Sequence, residues 1–500
     1  MDMDHGVSNA RAAGAQPAAE GVHRADVSAV NSAASRSLYK ARVPIYPKLV
    51  HGRFRAVKWA ALIAALAVYY VVPWIRWDRG PNAPGQAVLV DFPHQRFYFF
   101  AIEIWPQEVY YITGLLILGA LGLFLVTALF GRVWCGYACP QTVWTDLFIA
   151  VERLVEGDRS ARIRMAKAPW TTGKIARKTA KHAIWLLIAG ATGGAWVLYF
   201  HDAPTIAQNF WTGTAPVSAY AFFGILTFTT YTLAGTMREQ VCTYMCPWPR
   251  IQAALIDEEA LNVTYRVDRG EPRGPHKKGD PWEGRGDCID CLQCVAACPM
   301  GIDIRDGAQL ECINCALCID ACDDVMTRIE RPKGLIAYDT DLNIKRRAAG
   351  ETPRFRLLRP RTVLYGVLLL AVGAIMLIGL ADRAGLGINV LRDRSPAFVL
   401  LSDGSVRNGY TIKVLNRTSS DQHYRLTVDG PAGLAARATG LGEGETLDDF
   451  VVGSDRVRPV RVHLTIARPP QSSTAVVFHL TEHQSGEMAD NPSVFLSGQE

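Results

Sequence analysis

Eight of the twelve cysteines fall into two runs of the same spacing, C-x2-C-x2-C-x3-C. The first run is Cys288, Cys291, Cys294 and Cys298, and the second is Cys312, Cys315, Cys318 and Cys322. In this pattern three closely spaced thiolates surround one cubane, and the fourth, carried onward by the x3 step, reaches the other cubane. The spacing therefore predicts two [4Fe–4S] clusters and one-electron chemistry.

The fourth cysteine of each run is expected to cross to the other cluster. Cluster 1 would be held by Cys288, Cys291, Cys294 and Cys322, and cluster 2 by Cys298, Cys312, Cys315 and Cys318. Structural zinc also uses CxxC pairs, but two tandem four-cysteine runs with an x3 step fit zinc poorly. Disulfides fit a reducing cytoplasm even less well. Asp323 follows the second run where Pro299 follows the first, which is expected to change the cluster environment more than the ligation.

The other four cysteines form two C-x3-C-P motifs, Cys135 with Cys139 and Cys242 with Cys246. Each motif follows an apolar run, so the two form a weak internal repeat. If the repeat is structural, a pseudo-two-fold axis would bring all four thiols together at the cytoplasmic interface. Within a helix, i, i+4 spacing puts both sulfurs on one face. The proline suits a first helical position, which would leave the second cysteine at a helix N-terminus that favours thiolate.

Soft sulfur ligands in an apolar setting select Cu(I), zinc or iron–sulfur centres. The alternative is that these cysteines are small buried hydrophobic residues, but their duplication, each time before a proline, favours a redox or metal site. The chain contains no nucleotide-binding P-loop and no persuasive dinucleotide fingerprint. His182 and His201 flank the third apolar run at opposite ends and form no opposed pair, so haem ligation is left open but unsupported.

Five apolar runs supply the elements that would position these cysteines. They are Trp59–Ile75, Val109–Phe130, Ala183–Phe200, Val217–Ala234 and Thr362–Ala381. Each is about long enough to cross roughly 30 Å of hydrocarbon as a helix. A mean hydropathy of +0.08 would suit a soluble chain, but the runs exclude a purely soluble globule, and the polar remainder excludes a transporter built almost wholly of membrane. The first run could be a signal anchor, yet no small-residue cleavage site follows it, so we expect it to be retained.

Lysine and arginine counts in the flanks predict the orientation of the runs. Seven lie from Arg36 to Lys58 and nine from Arg153 to Lys181, whereas residues 201–216 contain none. Seven more precede the last run, from Lys345 to Arg361. We therefore expect the N-terminus, the loop before the third run and residues 238–361 in the cytoplasm, and the tail from residue 382 in the periplasm of a bacterial inner membrane. The formal net charge of +6 gives no reason to invoke nucleic acid.

The predicted fold class is a multi-domain membrane protein with five transmembrane helices, an α+β two-cluster ferredoxin-like insert and a C-terminal immunoglobulin-like β-sandwich. The predicted divisions are a disordered cytoplasmic tail (1–38), a membrane domain with four helices and both C-x3-C-P motifs (39–250), a cytoplasmic two-cluster domain (251–345), a fifth membrane helix with a basic flank (346–384) and a periplasmic sandwich (385–500). The sandwich contains no cysteine, and it is expected to be a docking module.

Finer predictions concern one helix and the sandwich strands. Residues 142–155 have helical periodicity and are expected to lie along the interface with Trp144, Leu147, Phe148, Val151 and Leu154 inward. Glu103, Glu108 and Asp146 lie near membrane edges and are expected to be solvated. In the sandwich, strands are expected at Tyr410–Asn416, His423–Val428, Val457–Ala467 and Thr474–Leu480, with turns at Asp403-Gly404, Asn408-Gly409 and Asp429-Gly430.

The order of these parts resembles the cytochrome c oxidase accessory family called CcoG, FixG or RdxA, over nearly the whole chain from about residue 39. The resemblance implies a membrane iron–sulfur oxidoreductase that reduces Cu(II) to Cu(I) for assembly of the cbb-type oxidase. Cys135, Cys139, Cys242 and Cys246 would then be the copper-handling catalytic thiols, and the cluster cysteines would carry electrons to them. Expected partners are the lipid bilayer, a copper transporter or chaperone, oxidase assembly factors and an unidentified electron donor; homodimer formation stays open.

Two alternatives remain at the level of sequence. The membrane and cluster part also resembles quinol-dehydrogenase subunits such as NapH, which would make the chain a quinol-linked electron-transfer subunit. A non-catalytic assembly scaffold or copper chaperone, with structural or sensory clusters, is the other.

Overall fold

The computed structural model describes residues 24–25, 27–30, 43–80, 83–277, 279–382, 385–418, 420–454, 456–467 and 471–498. The chain divides into two compact units. One comprises Met1–Ile75 and Ala87–Ala374, and the other comprises Arg76–Gln86 and Ile375–Glu500.

Helices dominate the first unit. In chain order they are α1 (Arg53–Val71), α2 (Tyr110–Phe130), α3 (Val133–Tyr137), α4 (Pro140–Glu156), α5 (Arg159–Lys167), α6 (Thr172–Leu198), α7 (Ala203–Thr212), α8 (Val217–Thr230), α9 (Trp248–Leu255), α10 (Val267–Gly270), α11 (Gln293–Ala297), α12 (Leu317–Arg328), α13 (Asp341–Ala348) and α14 (Pro360–Ala381), whose last turns enter the second unit. Two π-helical segments, Tyr231–Met237 and Val241–Met245, follow α8.

Four helices are long and apolar enough to cross a membrane among the residues described. They are Arg53–Trp74, Tyr110–Phe130, Val217–Met237 and Pro360–Ala381. The expected run Ala183–Phe200 is also largely helical, but its helix is not among these four, because its apolar part is too short. Its helix, α6, begins with a cationic segment, and only residues 183–198 are free of charge. At 1.5 Å per residue this apolar part is about 24 Å long, shorter than roughly 30 Å of hydrocarbon. On length and composition, four of the five predicted spans are therefore found.

Helix α6 packs antiparallel to α8 along this apolar part. The His182 ring bonds the Tyr231 hydroxyl at 2.9 Å, whereas near the other end Gly193 lies against Phe223 and Thr227. A side chain at Gly193 would place a Cβ 2.7 Å from the Phe223 carbonyl oxygen, so this glycine permits the close approach of the two helices.

Helix α4 confirms the predicted amphipathic segment but not all of its orientation. Phe148 and Val151 are buried, as expected, whereas Leu154 is 83% exposed. Asp146, predicted to be solvated, is buried instead, and so is Glu108 before α2. The correction has a physical reason: the Asp146 carboxylate accepts two hydrogen bonds of 2.9 Å from Arg55 of α1, and a paired carboxylate can be buried where an isolated one cannot.

The cysteine runs lie in a small α+β domain built around a two-stranded sheet, β4 (Asn262–Tyr265) and β5 (Ile336–Asp339). A separate three-stranded sheet, β1 (Val88–Asp91), β2 (Arg96–Phe99) and β3 (Ile102–Ile104), precedes α2. Of the tail predicted to be disordered, residues 1–23, 26 and 31–38 lie outside the described residues. Its described part does pack: the Ala25 amide bonds the Cys291 carbonyl, and the Val30 amide bonds the Gly301 carbonyl. The prediction is wrong for this part because these backbone groups find partners in the cluster domain.

The second unit contains the expected sandwich. Its strands are β6 (Leu386–Arg392), β7 (Val399–Leu400), β8 (Val406–Asn416), β9 (Gln422–Asp429), β10 (Ala435–Thr439), β11 (Phe450–Val452), β12 (Arg456–Ile466), β13 (Ser473–Glu482) and β14 (Met488–Leu496). One sheet has the order β10-β12-β8-β6, with β7 also paired to β8, and the other has the order β11-β9-β13-β14. Alternate residues from both sheets, including Tyr410, Ile412, Phe478 and Leu480, form the buried core.

Four of these strands, β8, β9, β12 and β13, confirm the segments predicted from alternation. The predicted turn at Asn408-Gly409 is wrong, because both residues lie inside β8. Asn408 is fully buried, and its amide spans to Leu496, donating to the carbonyl at 2.8 Å and accepting from the backbone N–H at 3.0 Å. A side chain satisfied in this way removes the local preference of asparagine for a turn.

Candidate metal centres

The two cysteine runs share one backbone conformation. In each run the residues on either side of the second cysteine have positive φ angles, 53° and 57° at Asp290 and Leu292, and 52° and 59° at Asn314 and Ala316. Left-handed conformations are uncommon for residues with a Cβ, so their recurrence at matching positions marks the same tight double turn. In both runs a helix, α11 or α12, begins at the next residue.

Each predicted quartet of cysteines lines one cavity. The first cavity is lined by Cys288, Cys291, Cys294 and Cys322. The second is lined by Cys298, Cys312, Cys315 and Cys318. The last cysteine of each run thus lies at the cavity of the other run. Cys294 borders both cavities, so the two sites adjoin each other.

The donor set and the surroundings of both cavities fit iron–sulfur clusters. All twelve cysteines are free, and aliphatic side chains such as Ile302 and Leu335 complete the walls. Burial is the main reason that the pKa of Cys298 is raised to about 12 and that of Cys312 to about 11. A thiol in this setting gives up its proton to a metal rather than to water.

The first C-x3-C-P motif extends from one short helix to the start of the next. Cys135 lies on α3, and Cys139 is the N-cap residue of α4, with Pro140 at the first helical position. The backbone at Cys139 is extended, with φ −61° and ψ 127°. The expected position of this cysteine at a helix N-terminus is therefore found, but the two cysteines do not share one continuous helix, because α3 ends at Tyr137.

The second membrane motif follows nearly the same path with a different helix type. Cys242 lies in the π-helical segment, which ends before Cys246, and Cys246 is again extended, with φ −78° and ψ 121°. Pro247 is the N-cap of α9 rather than its first residue. Four residues before the first cysteine of each motif the chain turns through a positive φ, 56° at Gly131 and 47° at Arg238. The internal repeat is thus visible in the backbone.

Burial is the main influence on the pKa values of two of the four cysteines in the C-x3-C-P motifs, Cys135 and Cys242. Burial raises the pKa of Cys135 to about 12, and the neighbouring Cys139 and Cys246 contribute to this shift. The pKa of Cys242 is raised to about 12 by burial and then by Cys139, Cys135 and Cys246. Cys246 is exposed, whereas the other three are partly buried. No three His, Cys, Asp or Glu side chains converge on a single-ion position within the described ranges.

The first motif docks directly on the loop that surrounds the second cavity. Gly136 lies against the backbone of Ile313 and Cys315, and the Tyr137 hydroxyl donates a hydrogen bond of 3.2 Å to the Cys315 carbonyl oxygen. Arg132 donates to the Leu310 carbonyl and, at 3.4 Å, to that of Cys312. Cys135 and Cys242 both pack against the apolar cluster that contains Cys315. The first motif therefore contacts the backbone around the second cavity directly.

A buried ionic network, which sequence reasoning missed, connects the segments that carry the two motifs. Glu152 of α4 is 3% exposed and pairs with Arg162 and Arg238, while Lys181 lies 3.8 Å from it. Arg238 also donates to the Gly235 carbonyl at 2.8 Å. This arrangement joins α4, which follows the first motif, to the turn that begins the second motif. The i, i+4 spacing of Glu152 and Glu156 on α4 is the one available signal in the sequence.

A small cavity adjoins Cys242 on the side of α4, and its walls include Lys58, Asp146, Arg238 and Glu239. Charged side chains of both signs line this cavity together with apolar ones such as Ile149.

Three protein-family models match the chain. A 4Fe-4S dicluster domain matches residues 237–341, a 4Fe-4S binding domain matches residues 112–156, and an IG-like fold at the C-terminal of FixG matches residues 376–498. The two iron–sulfur matches together include all twelve cysteines. The chain is therefore an iron–sulfur protein that carries two 4Fe–4S clusters, with an Ig-like domain at its C-terminal end.

Whole-length relatives confirm the family expected from the motifs. Nitrogen fixation protein FixG of Rhizobium meliloti is 51% identical over 480 residues, covering 89% of this chain and 91% of that protein. Protein RdxA of Cereibacter sphaeroides is 50% identical over 453 residues, covering 90% and 94%. A crystal structure of a FixG-related protein from Vibrio parahaemolyticus, 24% identical, covers 23% of this chain and all of that one at a TM-score of 0.21. With its membrane-length helices and iron–sulfur domains, this chain is an integral membrane protein that belongs to the FixG/RdxA family.

Proposed function

We propose that the chain is a cupric reductase that reduces Cu(II) to Cu(I) for assembly of a cbb-type oxidase. The observation that carries the proposal is the meeting of both C-x3-C-P motifs against the loop of the second cluster cavity, with Cys135 and Cys242 in contact with the apolar residues around Cys315. Soft thiolates favour Cu(I) over Cu(II), so copper held by these sulfurs is easier to reduce.

The clusters supply one-electron transfer when bound. The protein's own residues then have two tasks. The first is to keep the two clusters close, and Cys294 lies at the border of their two cavities. The second is to keep the copper-binding thiols close to the second cluster, and the contact of Gly136 with Cys315 does this. One electron and one Cu(II) ion give one Cu(I) ion, so the reduction itself moves no proton; the protons of the ligating thiols leave earlier, when the ion binds.

The proposed orientation places the four thiols and both clusters at the cytoplasmic face and the sandwich in the periplasm. It is supported by the concentration of lysine and arginine beside the motif ends of the helices. It requires α6 to cross the membrane as well. The antiparallel packing of α6 on α8, from the contact of His182 with Tyr231 to that of Gly193 with Phe223, supports this crossing because α8 begins a membrane-length segment.

In this function the partners would be a copper transporter or chaperone that exchanges the ion, and assembly factors of the oxidase. The electron donor would be a further partner, one that supplies electrons one at a time to cluster 1. The sandwich, which holds no cysteine, would serve to dock such a partner.

The test uses the full chain purified anaerobically in detergent. The clusters are reduced, the excess reductant is removed on a desalting column, and Cu(II) is added with a chromogenic Cu(I) chelator. We expect up to about two Cu(I) ions per chain, formed in step with reoxidation of the cluster absorbance, because each cubane stores one electron. Protein with oxidised clusters is the control for reduction by thiols alone.

Single variants then separate the copper site from the relay. Cys135→Ala and Cys242→Ala should slow Cu(I) formation while the clusters stay reduced, whereas Cys291→Ala should lower the number of electrons stored. If both membrane-motif variants reduced Cu(II) at the wild-type rate, the site assignment would be wrong. If reduced clusters ignored Cu(II) but reacted with a quinone, the quinol-linked alternative would replace the proposal; copper binding without any electron transfer would indicate the scaffold.

A further inference from the structure

Gln252 is a fully buried amide between the two motif repeats. It lies on α9, which follows the second motif, and it is 0% exposed. Its Oε1 nevertheless accepts a hydrogen bond from Sγ of Cys135 in the first motif, at 3.2 Å. Its Nε2 donates to Oγ1 of Thr127, near the end of α2, at 3.4 Å. Both ends of the amide are therefore engaged, as a buried polar group requires.

This contact breaks the symmetry of the repeat. Thr145 holds the equivalent position in the first repeat, six residues after the last cysteine of its motif, and it receives a hydrogen bond of 3.3 Å from Gln141. Of the four cysteines in the C-x3-C-P motifs, Cys135 alone has a described hydrogen bond to a side-chain amide. A residue from the second repeat thus fixes a sulfur of the first repeat.

We propose that Gln252 is a positioning residue of the four-thiol site, holding the Cys135 sulfur in place both before and after a soft metal ion binds. The inference deepens the proposed function and rests on it for the identity of the ion. A free thiol donates its proton to the amide oxygen, whereas a metal-bound thiolate can only accept a hydrogen bond. An amide carries both a donor and an acceptor, so a half-turn of the Gln252 side-chain terminus presents Nε2 to the sulfur.

Thr127 makes this half-turn compatible with burial. After the turn, Oε1 of Gln252 would face Thr127, whose hydroxyl can donate as well as accept. Neither state of the site then leaves a buried polar atom without a partner. Thr127 is itself 0% exposed, so water does not offer a substitute.

The test compares three variants of the full chain in detergent. Gln252→Leu removes both hydrogen-bonding ends, Thr127→Val removes the hydroxyl at nearly constant volume, and Thr127→Ser restores it. Gln141→Leu is the matched control, because it makes the same chemical change in the repeat interface, where Gln141 bonds the Leu233 carbonyl at 2.8 Å and not a thiol. Cluster absorbance reports whether each variant is folded.

Two measurements are made on each variant. The first is Cu(I) affinity by competition with a chromogenic chelator, which should fall about tenfold in Gln252→Leu, as expected for the loss of one hydrogen bond to a charged group. The Cu(I) affinity of Thr127→Val should also fall, and that of Thr127→Ser should be close to the wild-type value. The second uses no copper: the infrared S–H stretching band that Cys135→Ala abolishes should shift to higher frequency in Gln252→Leu and stay in place in Gln141→Leu.

The two measurements distinguish the inference from the proposed function. If the wild-type protein binds no Cu(I), the proposed function fails, and the infrared band still decides whether Gln252 holds the sulfur. If Gln252→Leu leaves the band where it is in the wild type, the inference is overturned. Unchanged Cu(I) affinity in Gln252→Leu, with a wild type that binds Cu(I), overturns it as well.

Discussion

Replacing Gly136 by alanine should force the first motif away from the loop of the second cluster. Gly136 is a buried residue of α3, and a Cβ built on it would lie 2.6 Å from the Ile313 carbonyl oxygen and 3.0 Å from the Cys315 Cα. Ordinary contact begins near 3.4 Å, so one of the two segments must move by about 0.8 Å. Both contacts are backbone atoms that cannot rotate away, so we expect the upper part of the ~1–3 kcal/mol range that overpacking costs.

The measurement is the free energy of unfolding in guanidinium, followed anaerobically by tryptophan fluorescence in detergent. Gly119→Ala on α2 is the control, since a Cβ at Gly119 meets nothing within 4 Å. Helix propensity alone should make that variant neutral or more stable by up to ~1 kcal/mol. Under the proposed function, Gly136→Ala should also slow the transfer of electrons from reduced clusters to Cu(II), while the amount of reduced cluster at the start is unchanged.

A Gly136→Ala protein as stable as Gly119→Ala, with an unchanged rate of Cu(I) formation, would show that the motif does not press on the cluster loop as described. Loss of stability without any change in that rate would leave the packing intact as an observation but would refute the short electron path through this contact.

Three further changes test other parts of the structure. Asp146→Asn should cost ~3–5 kcal/mol of unfolding free energy, because it leaves Arg55 buried without its charge partner, whereas Asp324→Asn, at an exposed helical ion pair, should cost less than ~0.5 kcal/mol. Cys322→Ser should change the same cluster signal in electron paramagnetic resonance as Cys291→Ser, since both line the first cavity; matching a different signal would contradict the crossed assignment. The hydrogen bond from Arg458 lowers the pKa of Glu445 to about 2, whereas the unfolded chain has the ordinary glutamate pKa of about 4.3. The pair with Arg458 should therefore stabilise the fold fully above about pH 4.3, and this stabilisation should be lost as the pH falls toward 2. Glu445→Gln should remove that part of the acid-unfolding curve.

The double turns in the two cysteine runs follow from the spacing of the cysteines, because ligand spacing is a local property. Short steps between cysteines restrict the backbone to a few tight turns, and the positive φ angles beside Cys291 and Cys315 are the form those turns take. The strands of the sandwich were also predictable where one face is buried, since alternation then follows directly from the pleat. The turn at Asn408-Gly409 failed because a distant strand, at Leu496, satisfies the asparagine.

Buried charge is what the sequence could not reveal. Helical periodicity sorts residues by polarity, so it assigned Leu154 to the interior and Asp146 to solvent. In the structure Leu154 is exposed and Asp146 is buried. The burial of Asp146 follows from Arg55, on a helix some ninety residues earlier, which donates two hydrogen bonds to it. A single sequence does not say which cation will reach which carboxylate, and the burial of a charge depends on that pairing.

The same limit explains why the repeat of the two motifs is only weakly visible in the sequence. Both motifs begin with a residue in the left-handed region, but they reach it by different means. The first uses Gly131, which adopts a positive φ at no steric cost. The second uses Arg238, for which that conformation is unfavourable, and holds it through the bond from its guanidinium to the Gly235 carbonyl and through the buried pair with Glu152. Glu152 lies on the helix that follows the first motif, so one half of the repeat supplies the tertiary contact that the other half needs to take the same shape.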